Sequence, residues 1–162
     1  MSNAIKDLLA AYYADVTTRM VTGGALAAVH DCYIIQAPEL LPPDFSAELP
    51  LALIYLSTPI NVTPHCLPMT FDRKIFSITI SLLVESVGAP MLGFVGDSYY
   101  PGVLDIARSV EELYQRETFA ISDTCATTQI DFSLRVSLPF VNGSLAQAHL
   151  TFQHDLMEAV IL

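Results

Sequence analysis

Basic side chains are scarce in this sequence. Seven Lys and Arg stand against seventeen Asp and Glu in 162 residues, a formal net charge of −10. The seven are scattered, and no cluster exceeds the pair Arg73-Lys74. Proteins that grip nucleic acid carry a basic patch or stripe, so direct, specific nucleic-acid binding is excluded as an expectation. The plainest reading of the acidity, with a pI of about 4.5, is solubility. Cysteine is also sparse. Cys32, Cys66 and Cys125 are odd in number and far apart, which excludes a disulfide framework and reads as reduced, cytosolic thiols. Long apolar runs are missing. Leu49 to Leu56, LPLALIYL, is far too short to span a bilayer, and the opening MSNAIKDLLAAYYADV lacks the basic start and apolar stretch of a signal peptide. The expectation is a protein without a membrane partner.

Motifs that carry chemistry are equally hard to find. Gly93 to Ser98, GFVGDS, leads toward a helix, but it has neither the G-x-G-x-x-G spacing nor a terminal Lys-Ser/Thr to cradle phosphate. It reads as a tight turn. No G-x-S-x-G nucleophile elbow occurs. His30-x-Cys32 and His65-Cys66 lack the paired spacing of a zinc site and read as ordinary core or surface residues. His149 and His154 are five apart, so on a strand they face opposite ways. Asp97, Asp105, Glu111 and Glu112 show no pairing suited to acid–base work. The doublets Tyr12-Tyr13 and Tyr99-Tyr100 suit an interface and the packing of their own domain equally. No catalytic residue, cofactor or metal is expected.

Structure, by contrast, is written plainly. The chain is 52% apolar and only 15% charged, with a mean hydropathy of +0.48, which is high for one domain of this length. Residues 1–162 read as a single domain, and the apolar excess points to surface buried against another subunit. Ile5, Leu8, Leu9, Tyr12, Val16 and Met20 recur at helical spacing, predicting a helix near residues 4–22 with Asn3 as N-cap and Gly23-Gly24 as its stop. Residues 27–36 read as a strand, with a short helix as the alternative. Leu51 to Ser57 reads as a buried strand, and two proline-bearing segments, Ala37 to Pro50 and Thr58 to Asp72, as irregular loops. In KIFSITISLLVES, Phe76, Ile78, Ile80, Leu82 and Val84 alternate with Ser77, Thr79, Ser81 and Leu83, a strand. A second helix is predicted over 101–115, opening on Pro101, with Leu104, Ala107, Val110, Leu113 and Tyr114 inward.

The strongest signal lies near the end. Thr118 to Ala126 reads as one strand. Ile130, Phe132, Leu134, Val136, Leu138 and Phe140 then alternate with polar residues, Asn142-Gly143 follows, and Ala146, Ala148, Leu150 and Phe152 alternate again. Asn-Gly between alternating runs marks a hairpin, because a type I′ turn needs positive φ at both central positions. The fold class expected is α+β: a mainly antiparallel sheet, two amphipathic helices on one face and a long C-terminal hairpin.

This succession of pieces resembles the tail terminator and tail-completion (head–tail joining) proteins of tailed bacteriophages and related prophage and gene-transfer particles. The pieces are an amphipathic helix ended at Gly23-Gly24, a proline-rich loop into LPLALIYL, the strand KIFSITISLLVE, a glycine-rich loop, the helix PGVLDIARSVEELYQ and the closing hairpin. The likeness spans about Ile5 to Leu156 and rests on pattern. It implies a structural virion protein and not an enzyme. The subunit would form a hexameric ring that caps the tail tube, ends its polymerisation and meets the head connector. Its partners would be itself, the tail-tube protein and the connector or adaptor, and its place the virion tail, assembled in the bacterial cytoplasm. A long hairpin without reactive groups suits a subunit whose work is pairing with neighbours. Tyr99, Tyr100, Phe140, Asn142 and Gly143 are the candidate subunit-interface residues. The lengths of the two proline-bearing loops depart from the pattern and leave open another minor tail or head-adaptor component. A small cytosolic α+β enzyme or ligand-binding domain, supported by the Gly/Tyr loop before the second helix, and a dimeric cytosolic adaptor are the alternatives.

Overall fold

A computed structural model describes residues 4–37, 47–64, 71–85, 95–96, 101–115, 118–122, 125–137 and 145–159. Among them, helix α1 (Ala4–Arg19) is followed by strands β1 (Asp31–Ile34), β2 (Leu51–Leu56), β3 (Asn61–Pro64) and β4 (Phe71–Glu85). Helix α2 (Val103–Tyr114) comes next, then β5 (Thr118–Ser122), β6 (Cys125–Ser137) and β7 (Leu145–Ala159). The strands form one sheet in the order β1-β2-β4-β7-β6-β5, with β3 also on β4. Every pairing is antiparallel except β1 with β2. The class is α+β, as the patterning predicts.

The spine is the β4–β7 ladder. It runs unbroken from Phe71 opposite Ala159 to Glu85 opposite Leu145, which at about 3.3 Å per residue is roughly 50 Å of paired strand. Even-numbered residues from Phe76 to Val84 of β4 and from Ala146 to Leu156 of β7 face the helices. Phe76, Ile78, Ile80 and Leu82 meet Ala148, Leu150, Phe152 and His154 across the ladder, and all are buried. Leu8, Tyr12 and Val16 from α1 and Val103, Ile106, Ala107, Val110 and Tyr114 from α2 close over that face to make one core. α1 reaches β1, β2 and β5, while α2 lies on β4 and β7.

Both helices have readable ends. After Arg19 the chain turns through Gly23, at φ +83°, a left-handed conformation that glycine adopts without strain. Gly24 then passes so close to the Arg19 carbonyl that a Cβ would lie 2.3 Å from its oxygen. That approach lets the Leu26 N–H donate to the Arg19 carbonyl at 3.0 Å. α2 is capped by extended Gly102, whose N–H donates to Asp105 Oδ2 at 3.2 Å from the third helical position.

Several expectations need correction. Thr58 to Asp72 is not wholly irregular: Asn61–Pro64 is β3, and β4 already begins at Phe71. β2 and β3 lie end to end along the same edge of β4, β2 against Ile78–Leu83 and β3 against Asp72–Ile75. Between them the Ser57 N–H still donates to the Ser77 carbonyl at 2.9 Å, and the Ser77 N–H donates to Thr58 Oγ1 at 2.9 Å. Pro59, which has no N–H, falls in the break between the two strands. The second helix begins at Val103, with Pro101 instead bridged to Gly96. Its buried face uses Val103 and Ile106, while Leu104 is exposed. Thr118 to Ala126 is two strands, β5 and the start of β6. Ile130 is not part of an unbroken alternation, because the β6–β7 register shifts between Gln129 and Asp131. Beyond it the hairpin pairs as its alternation predicts, Phe132 opposite Phe152, Leu134 opposite Leu150 and Val136 opposite Ala148. The Asn142-Gly143 turn and the Asn3 cap lie outside the described residues.

Candidate functional site

The polar side chains of the described fold gather in two places, one on each face of the sheet. On the helix side, the inward phase of β7 carries Phe152, His154 and Leu156 into the core. His154 Nε2 and the Tyr12 hydroxyl of α1 are hydrogen-bonded at 2.7 Å, both groups fully buried. The Tyr12 ring lies 5.4 Å from that of Tyr114 and 6.1 Å from that of Phe152. Phe76 stacks on the imidazole at 6.0 Å and 28°. The Tyr114 hydroxyl donates to Asp15 Oδ2 at 2.6 Å, and Arg19 Nε donates to the same oxygen at 2.8 Å. Burial lowers the pKa of His154 to about 4, so the imidazole is neutral at physiological pH. Burial first, and then the bond to Asp15, hold the Tyr114 phenol well above its ordinary range. A substrate has no access to groups so enclosed. The cluster fastens α1, α2 and β7 together.

On the opposite face, odd-numbered residues form rows across the strands. Tyr55 of β2 bonds Ser81 of β4 at 3.0 Å, and Ser81 bonds His149 Nδ1 of β7 at 2.6 Å. Thr79 bonds Thr151 at 2.9 Å. Arg73 donates to both oxygens of Asp155, with distances between 2.8 and 3.1 Å, in a bidentate fork. A serine beside an imidazole invites comparison with a nucleophile and its base. Ser81, however, is only 1% exposed, held between Tyr55 and His149. Its hydroxyl cannot meet a carbonyl, and the row acts as a tie between three strands.

Of the groups singled out in the sequence, His149 and His154 do face opposite sides. His30 is exposed while Cys32 is buried, its thiol pushed up to about 12 chiefly by burial, so the two share no site. Tyr12 is fully buried in the core and Tyr13 is 40% exposed. His65, Cys66, Tyr99, Tyr100, Phe140, Asn142 and Gly143 lie outside the described residues. Sequence reasoning missed the Tyr12–His154 bond, although a histidine in phase with Phe152 and Leu156 on an alternating strand already signals a buried imidazole. The Tyr114–Asp15 and Arg73–Asp155 contacts join residues roughly a hundred positions apart and leave no local trace. Among the described residues no three of His, Cys, Asp and Glu are grouped to hold a metal ion, and no helix is long and apolar enough to cross a membrane. No protein-family model matches the chain, and no curated protein matches it.

Proposed function

We propose that this chain is a non-enzymatic structural subunit of a phage-type tail, one that assembles as a hexameric ring, caps the tail tube and joins it to the head connector. One observation supports this reading most. The described polar clusters on both faces of the sheet bind element to element, and the reactive-looking ones are closed to substrate: Ser81 and His154 are 1% and 0% exposed. A domain that spends its hydroxyls, imidazoles and its best ion pair on holding a 15-residue ladder rigid offers shape and edges to its partners. The resemblance of the succession of elements to tail terminators supplies the kind of assembly. The net charge of −10 fits a ring through which DNA passes without sticking.

Native mass spectrometry of the purified chain, alone and with tail tubes, tests the proposal. A six-subunit species in either condition is the expected result. A monomer in both would overturn the ring.

A further inference from the structure

The two helices divide the sheet between them. α2 lies on the central strands β4 and β7, whereas α1 touches β1 and β2 at one border and β5 at the other. Five strand spacings separate β1 from β5, about 24 Å. The 16 residues of α1 are also about 24 Å long. The match makes α1 a strap laid across the sheet from border to border. Near its midpoint stands Tyr12, whose hydroxyl meets His154 Nε2 of β7 at 2.7 Å. The Tyr12 ring lies edge-on to the imidazole at 5.6 Å, and Phe76 of β4 stacks on it at 6.0 Å. Leu8 and Val16, one turn to either side of Tyr12, are buried with it.

An imidazolium in that enclosure is cut off from water. The groups on the elements around it do little to offset a positive charge. α1 brings the Tyr12 phenol, and Asp15, the carboxylate of this cluster, is taken up by Tyr114 and Arg19. α2 brings Tyr114, while Asp105, Arg108, Glu111 and Glu112 lie off its buried face. On β4, Lys74 shares the phase of Phe76 and carries the same sign. On β7, Asp155 faces the other side of the sheet with Arg73, and β6 sets uncharged Gln129 opposite His154. α1 contributes no strand to the sheet, so its departure breaks no ladder bond, and α2 still covers β4 and β7. We propose that α1 is a proton-released strap: when His154 takes up a proton, α1 lifts from the sheet, while α2 and the β4–β7 ladder stay closed. This device stands apart from the ring reading. Lifting α1 lets water reach the imidazole, whose pKa then returns from about 4 toward the ordinary 6.5. The open form binds the proton that the closed form refuses, so opening gains as the pH falls below 6.5.

Hydrogen exchange of the full chain tests it, read by mass spectrometry on α1, β4 and β7 peptides at pH 7 and pH 5, with times scaled for the intrinsic pH dependence of exchange. In wild type the opening of α1 should be roughly twentyfold more populated at pH 5 than at pH 7, with β4 and β7 as protected as before. His154→Gln should abolish that rise, and His154→Phe takes its place if circular dichroism shows that the glutamine variant does not fold. Equal protection of α1 at the two pH values overturns the strap. So does a loss of protection shared by α1, β4 and β7, which would make the whole core the unit that opens. An equal rise in the variant overturns it as well, by placing the titrating group elsewhere.

Discussion

His154 ties the stability of the core to pH on the acid side. Its pKa falls from the ordinary 6.5 to about 4 because burial penalises the charged form. Between those values the unfolded chain binds a proton that the folded chain does not. Stability therefore falls as the pH drops through that window, by about 3 kcal/mol in all. Denaturant unfolding at pH 7 and pH 4 checks this. Wild type should lose that much more stability than His154→Gln, and equal losses would place the acid sensitivity elsewhere. The sequence announces a buried histidine here by phase alone, since His154 follows Phe152 and precedes Leu156 on one face. It does not announce Tyr12 as the partner, because that contact spans 142 positions and depends on how α1 crosses the sheet.

At the scale of elements, what is legible is what repeats. β4 and β7 read as strands because their apolar residues alternate over many positions, and α1 because its stripe holds the helical period. β3 is hidden by Pro59 and Pro64, which read as loop residues, although a strand pairing only one neighbour tolerates a proline at its end. The inward face of α2 is read correctly at Ala107, Val110 and Tyr114 and missed in its first turn, where Val103, Leu104 and Ile106 are all apolar and only packing on β4 and β7 selects among them. The exit from α1 offers a sharper test of geometry. Gly23→Ala pays for a positive φ in open space, about 1 kcal/mol. Gly24→Ala drives a Cβ into the Arg19 carbonyl, which cannot move without losing the Leu26 N–H bond, and should cost clearly more. Chemical denaturation of the two variants ranks them, and a milder Gly24→Ala would show that the turn is free to shift.

For the molecule as a whole, the fold class follows from patterning, while the candidate interface does not. Tyr99, Tyr100, Phe140, Asn142 and Gly143 stand out by residue type and turn position alone. The exposure of β3 does not stand out that way, because it arises from a step between strands that no stretch of sequence displays. The long ladder gives the molecule stiffness, and the two helices seal one face of the sheet. The proposed role as a ring that ends a tail tube has one direct consequence in the particle. Electron microscopy of particles assembled without this chain measures it. The account predicts tails of uncontrolled length that fail to join heads; tails of normal length, properly joined to heads, would contradict it.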